Sequence, residues 1–519
     1  MKNLCRLISQ STRVPIRGRH VSTTVENAAA KLTFPPVKAA EEKSQQGGDT
    51  QNLYRRLSAL GMKKNMVSST INEYIREGKT PSKFELDRCI TELRKYRKPH
   101  LSLEIMEWMA KRGVTKSLRD FPMYLDLVAK TKGIEEAEKC FRGLSDSMRN
   151  QWTYGALLNC YCTKLMEDQA LALFEEMEEL NVAYTSVAYS NLMSLYMKLE
   201  KPEKVSPLVE DMKKRNIELT TYIYCIWMTS CSHLDDVEGA ERVFEEVKRD
   251  SMKKCTWTIY SNLAVVYVKA GYKEKAELAL KKVEQEMGPQ NRKAYHLLIS
   301  LHAGVSNLSE VHRLWKSLKH NFEVVTNMSY LVMLQALGKL NDLVGLKDCY
   351  EEWESSCHSF DTRIVHSVIR NYLRHQMVEE AQAVFHRAKE RSSGHPFFLS
   401  ETFITYFLQN NQGQQALCCL EAAVSQVKND EWRLKHEVIR EFIRYLEETK
   451  DVDFGEEFCK LLKKVNSLKY ASYKSLLETY VVAGRIAPNM LERIEEDGIV
   501  VDSTLKHVLQ RVCPESELS

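Results

Sequence analysis

The chain has 519 residues and a mass of 60.1 kDa, more than one hydrophobic core ordinarily supports, so it must split into domains or extend as a repeat array. Gly 20 and Pro 12 are few for this length and charged residues make up 28%, which favours helices over many short strands. A net charge of +4 excludes a protein that grips nucleic acid over its whole surface, so any RNA contact must be local. No run of eighteen apolar residues occurs that would span a membrane. The fourteen cysteines are scattered without a C-x-x-C, in a chain too large to need disulfide staples, and read as reduced, mostly buried thiols.

From Met1 to Val25 there is no acidic residue, while Lys2, Arg6, Arg13, Arg17 and Arg19 alternate with Leu4, Leu7, Ile8, Val14 and Ile16 among serines and threonines. That is a transit-peptide composition, too broken for a secretory signal, so residues 1–25 predict import into mitochondria, with the plastid as alternative. Residues 26–50, with Pro35, Pro36 and the run EEKSQQGGDT, read as a disordered linker. Residues 51–82 contain an amphipathic helix pair near Leu53 to Ile75 and read as N-terminal capping helices.

Beyond them a ring side chain returns at Tyr154, Tyr189, Tyr224, Tyr260, Tyr295 and Tyr330, at intervals of 35, 35, 36, 35 and 35. Around each anchor apolar residues fall at i, i+3, i+4 and i+7, as in Tyr154, Leu157, Leu158 and Tyr161, which is one helical stripe. About 16 residues later a second helix opens on a small residue and continues apolar, as in Ala170, Phe174 and Met177, or Ala240, Phe244 and Val247. The frame extends to Leu86 and Phe121 before, and to Val365, Ser400, Ile439 and Tyr473 after. This predicts twelve hairpins over residues 83–505, with 506–519 as a C-terminal tail. Neither helix of such a unit buries its stripe alone, whereas stacked units do. The fold class is therefore all-α, an α-solenoid superhelix of about twelve helix-turn-helix hairpins.

The unit Ser186 to Thr220, with its VAYSNLM, and the run TIYSNLAVVYVKAGYKEKAELAL resemble the pentatricopeptide repeat, with its V-x-Y-N-x-L-I opening, A-G middle and E-A-x-x-L-F-x-x-M second helix. The tetratricopeptide repeat, with a period of about 34, fits worse. The spacing here is 35 and its W-x-x-L-G-x-x-Y opening does not recur. The segments YRRLSALGMKK and FELDRCITELRKYRKPHLSLEIMEWM are similar to the start of plant organellar members of the plain, non-editing class.

The resemblance implies an organellar RNA-binding adaptor in which the residue after the anchor and the last residue of the unit together read one base. Those pairs are Gly155 with Thr185, Ser190 with Thr220, Cys225 with Thr256, Ser261 with Asn291, His296 with Thr326, Leu331 with Asp361 and His366 with Pro396. Only Ser261 with Asn291 carries usable chemistry and Ser190 with Thr220 is marginal, whereas Gly155 and Leu331 have no side chain able to hydrogen-bond a base. Two residues before the anchor, where the family would sandwich bases, stand Trp152, Val187 and Tyr222. The competing role is packing on the preceding unit. Nine residues after the anchor stand Lys130, Lys198, Lys269, Lys339 and Arg374, which the resemblance makes phosphate contacts. The competing role is favourable placement of a cation at a helix C-terminus.

No G-x-x-x-x-G-K-[ST], G-x-G-x-x-G or H-E-x-x-H occurs, and none of the fourteen histidines has Glu two residues on, as a zinc deaminase tail would need. Cys160 with Cys162, and Cys418 with Cys419, fall on helical stripes and read as packed core thiols. The acidic runs FEEMEEL and EEWE read as solvated second-helix faces. No catalytic, cofactor-binding or metal residue is assigned, and neither a cofactor nor a small-molecule substrate. The expected function is binding single-stranded RNA in RNA processing, stabilisation or translation. The alternative is a protein-docking scaffold or mitochondrial ribosome-associated subunit with little sequence-specific readout.

Overall fold

The computed structural model describes residues 47–60, 66–113, 120–249, 256–356, 359–391, 397–427 and 432–513, so residues 1–25, read above as a transit peptide, lie outside the described residues. Among them every regular element is helical, with 27 α-helices from Gly47–Ser58 to Ser503–Val512 and no strand. No described helix is long and apolar enough to cross a membrane.

The chain divides into two compact units, Met1–Ala270 and Gly271–Ser519. The first contains the pair Gly47–Ser58 and Met66–Arg76, five hairpins from Lys83–Lys95 to Val237–Arg249, and the helix Trp257–Ala270. The second opens with Lys273–Glu286, continues through six hairpins from Arg292–Gly304 to Met490–Glu496, and closes on Ser503–Val512. Within each unit, successive first helices from Phe121–Thr131 onward pack on one another, and second helices up to Val452–Lys464 pack on the first helix of their own hairpin. A helical stripe is thus covered by sequence neighbours, which is the additive architecture of a repeat protein.

The anchor rings supply much of that cover. Tyr154, Tyr189, Tyr224, Tyr295 and Tyr330 are buried, and Tyr189 packs edge-on against Phe174 with ring centroids 5.4 Å apart. Tyr260 is only half-buried, its ring 5.5 Å from Phe244. Several anchors also use their hydroxyl: Tyr154 donates to Glu176, Tyr189 to Asp211 and Tyr330 to Glu352, at 2.6, 2.5 and 3.1 Å. Each bond ties the first helix of a hairpin to its own second helix, and burial together with the carboxylate raises the phenol pKa.

The acidic second-helix faces are less solvated than the sequence suggests. Glu178 of the FEEMEEL run pairs with Arg215 of the next hairpin at 3.0 Å, and Glu354 of EEWE pairs with Arg387 at 3.2 Å. Glu284 with Arg313 and Glu352 with Lys319 repeat the arrangement in the second unit.

In most hairpins the turn between the two helices is made the same way. A left-handed residue stands at Leu165, Glu200, Asp235, Gly271, Ser306, Asn341, Gln376 and Asn411, with φ between 55° and 80°. The following amide returns to a carbonyl five residues back, as in Met166 to Tyr161 (3.1 Å) and Met377 to Tyr372 (2.9 Å), which closes the first helix as a Schellman motif.

Three boundaries differ from the sequence reading. The helix Phe121–Thr131 begins at Phe121, so the fourth-residue position held by the anchor elsewhere belongs here to Tyr124, and Leu125 fills the core. The first helix opens at Gly47, inside the segment read as linker. The last helix runs to Val512, inside the segment read as tail, because Leu505, Leu509 and Val512 form the stripe that covers Tyr473, Leu476 and Tyr480 at the open end of the array.

Candidate nucleic-acid interface

Several first helices begin at a capping side chain, and these caps are the positions that the resemblance assigns to base reading at the end of the unit. Thr185 accepts from the amide of Ala188, Thr220 from Ile223, Asn291 from Ala294 and Thr326 from Ser329, at 3.2 to 3.4 Å. Asp361 accepts from Arg363, whose guanidinium holds the carboxyl below its ordinary range. Each side chain satisfies an amide that the helix itself cannot. The Thr hydroxyl hydrogen and the Asn amide group remain able to donate.

The partner positions, one residue after the anchor, are more enclosed. Ser190 and Ser261 are buried and donate to the backbone carbonyls of Val187 (3.0 Å) and Thr258 (2.7 Å). Leu331 is buried in the core. His296 and His366 are part-buried, which pushes both imidazoles down to about 4 and leaves them neutral at neutral pH. His296 shares a 2.8 Å hydrogen bond with Ser329.

Two residues before the anchor the side chains turn outward. Trp152 is 53% and Val187 48% exposed, while Tyr222 is half-buried with its hydroxyl 3.1 Å from that of Ser194. Met328 and Phe398, each 42% exposed, occupy the same position in the second unit. The 35-residue frame places these two as well, at Tyr330 minus two and Ser400 minus two. Apolar side chains left in water at one repeat position are unlike the scattered exposed residues of any surface.

The basic positions separate into two groups. Lys130 pairs with Asp126 at 2.7 Å and Lys269 with Asp235 at 3.3 Å, the latter also donating to the Ser232 carbonyl. Among the described residues Lys198, Lys339 and Arg374 are exposed and make no ion pair. All five end a first helix, where the dipole favours a cation.

Among the described residues no cluster of His, Cys, Asp or Glu could hold a metal ion. Cys160 and Cys162 are buried, and burial pushes both thiols up to about 12. Cys418 is exposed, which corrects its reading as a core thiol: its neighbours Leu417 and Leu420 take the buried stripe. Thiol labelling of the native protein at pH 8 should therefore modify Cys418 well before Cys160, Cys162, Cys349 or Cys459, as mass spectrometry of the peptides would record.

A chain of stacked helical hairpins that presents repeated cap, apolar and basic positions on its first helices is a helical-repeat binding protein of the α-solenoid class. The family model for the PPR repeat matches residues 152–182, 187–217, 222–252 and 364–393, each of the first three opening at or beside an outward-facing residue described above. Two mitochondrial pentatricopeptide repeat-containing proteins of Arabidopsis thaliana are 41% and 40% identical, over 89% and 95% of this chain and 87% and 97% of their own lengths. The large ribosomal subunit protein mL101 of the same plant is 38% identical over 89% of this chain and 94% of its own. The chain belongs to the pentatricopeptide repeat family. Among solved structures it is similar to the pentatricopeptide repeat protein PPR10 in complex with an 18-nt psaJ RNA element, at 14% identity and a TM-score of 0.45, over 90% of this chain and 72% of that one.

Proposed function

We propose that this chain is a mitochondrial adaptor that holds single-stranded RNA during RNA processing, stabilisation or translation, and is not an enzyme. One observation carries the reading: first helices repeatedly leave an apolar or aromatic side chain exposed at their start and a cation at their end, as Val187 and Lys198 do on a single helix. Rings at the start of a helix suit base stacking, at about 1–3 kcal/mol per base, and unpaired cations suit phosphates. Trp152, Val187 and Tyr222 are assigned to stacking, Lys198, Lys339 and Arg374 to phosphates, and Lys130 and Lys269 to phosphates only after breaking their present ion pairs. Ser190 with Thr220, and Ser261 with Asn291, are assigned to base edges. Residues 1–25 are assigned to mitochondrial import, on their composition and the naming of the relatives as mitochondrial.

Filter binding of the recombinant chain to unstructured RNA at a series of salt concentrations tests this. Affinity should fall as salt rises, by about 0.7 in log–log slope per phosphate contacted. A slope of zero would remove the phosphate contacts and the function with them.

A second reading has its own support. Resemblance to mL101 along nearly the whole of that protein, the small net charge and the buried Ser190, Ser261 and Leu331 favour a ribosome-associated subunit with little base readout. Such a subunit would co-sediment with the ribosome after RNA-binding positions are substituted, whereas the adaptor would lose its RNA.

A further inference from the structure

The run that closes the helix Lys83–Lys95 and leads into Pro99–Lys111 is Arg94, Lys95, Tyr96, Arg97 and Lys98, four cations in five residues. The corresponding stretch of each later hairpin holds two at most, as in MKLEK from Met197 to Lys201. The helix Gly47–Ser58 packs against Lys83–Lys95, and the Lys98 ammonium donates to the carbonyl of Ser58, which brings a fifth cation, Arg55, to the same end. We infer that this end of the first unit is a clamp for the phosphodiester backbone of a bound RNA, an inference that rests on the RNA-binding reading above. Arg55, Tyr96, Arg97 and Lys98 stand at none of the positions that the repeat assigns to base reading, stacking or phosphate.

The cations are available to a ligand. Arg55 and Arg97 are exposed and make no ion pair among the described residues. Lys95 is exposed and pairs with Glu92 at 3.4 Å, a contact that solvent weakens. Arg94 is engaged by Asp126 at 3.1 Å. Tyr96 is 59% exposed, and its hydroxyl adds a donor of the kind that meets phosphate oxygens. Arg97 takes the left-handed turn position, φ 58°, which glycine or asparagine fills more easily, so the backbone gives no reason for an arginine there.

A helix C-terminus favours a cation whatever it binds. The later hairpins show what that effect yields, two cations at most and not four. Like charges gathered on one surface repel, and a polyanion laid across them removes that cost while releasing its own counter-ions. Lys95 stands nine residues after Leu86, in the frame of Lys130 and Lys198, so a backbone held along those cations is led to this end. A phospholipid surface also presents phosphates. It would be gripped by apolar side chains sunk between its headgroups, and the exposed Phe84 of this hairpin lies at the opposite end of Lys83–Lys95.

Fluorescence anisotropy of the full chain with a 20-nt oligouridine across a salt series tests the clamp. Arg55→Gln with Arg97→Asn, the latter suited to a left-handed backbone, should weaken binding about 10-fold at low salt and lower the log–log slope by about 1.4, at roughly 0.7 per phosphate. Arg76→Gln with Lys111→Gln removes the same charge from the ends of the neighbouring second helices and should change affinity by less than about 2-fold. Ultraviolet crosslinking of the unmodified complex should attach a nucleotide to the peptide that bears Tyr96. If the two double variants bind alike, the clamp is overturned while RNA binding stands. If the unmodified chain binds no oligouridine, both fall. Flotation with vesicles containing anionic phospholipid supplies the remaining outcome: binding by the unmodified chain that is lost in Arg55→Gln with Arg97→Asn, while RNA affinity holds, would give this surface to a membrane instead.

Discussion

Replacing Tyr189 with alanine should destabilise its part of the array by about 3–5 kcal/mol, the cost of emptying a fully buried aromatic site. The ring is 0% exposed and packs edge-on against Phe174, and its hydroxyl reaches Asp211 of the second helix at 2.5 Å. Arg215 holds the same carboxylate at 2.8 Å, so the loss is one of volume more than of an orphaned charge. Tyr189→Phe, which keeps the ring, should cost only about 1 kcal/mol. Because each hairpin is stabilised by its sequence neighbours, hydrogen exchange should accelerate in 186–214 and the adjoining hairpins. Exchange in the unit Gly271–Ser519 should stay as it was. A uniform acceleration along the chain would mean a single cooperative core instead of stacked hairpins.

The second large effect concerns charge. Reversing Lys198, Lys339 and Arg374 together to glutamate should lower RNA affinity roughly 10-fold to 100-fold at low salt, whatever the sequence, and flatten the salt dependence by about 2 in slope. These three are exposed and unpaired among the described residues, so reversal breaks no internal contact. Reversing Lys130 and Lys269 should do less to binding and more to stability, because Asp126 and Asp235 would then face a like charge. Asp126 would keep Arg94, 3.1 Å away. If both sets lowered affinity equally, pairing in the free protein would have no bearing on which cations reach phosphate.

The regularity of the hairpins was legible because six consecutive first helices carry a tyrosine at the anchor, five of them burying it, and tyrosine at a stride of about 35 residues is hard to mistake. The frame slipped at Phe121, where Pro122 follows an aromatic residue that opens the helix instead of standing one turn inside it. The hairpin turns were invisible because a left-handed conformation leaves its usual glycine mark at Gly271 but not at Leu165, Glu200 or Gln376. At those three the Schellman bond holds a residue whose own preference lies elsewhere.

The candidate interface was legible in its positions more than in its chemistry. Spacing locates Ser190 and Ser261, but not that their hydroxyls are spent on their own backbone. It locates Thr220 and Asn291, but not that the same oxygen caps a helix. It locates five cations without revealing that Lys130 and Lys269 are already paired.

Ultraviolet crosslinking inside intact mitochondria, followed by sequencing of the RNA attached to this chain, addresses the function most directly. Attached RNA concentrated in single-stranded stretches of a few transcripts is the predicted result. Ribosomal RNA throughout, or no RNA above background, would contradict it.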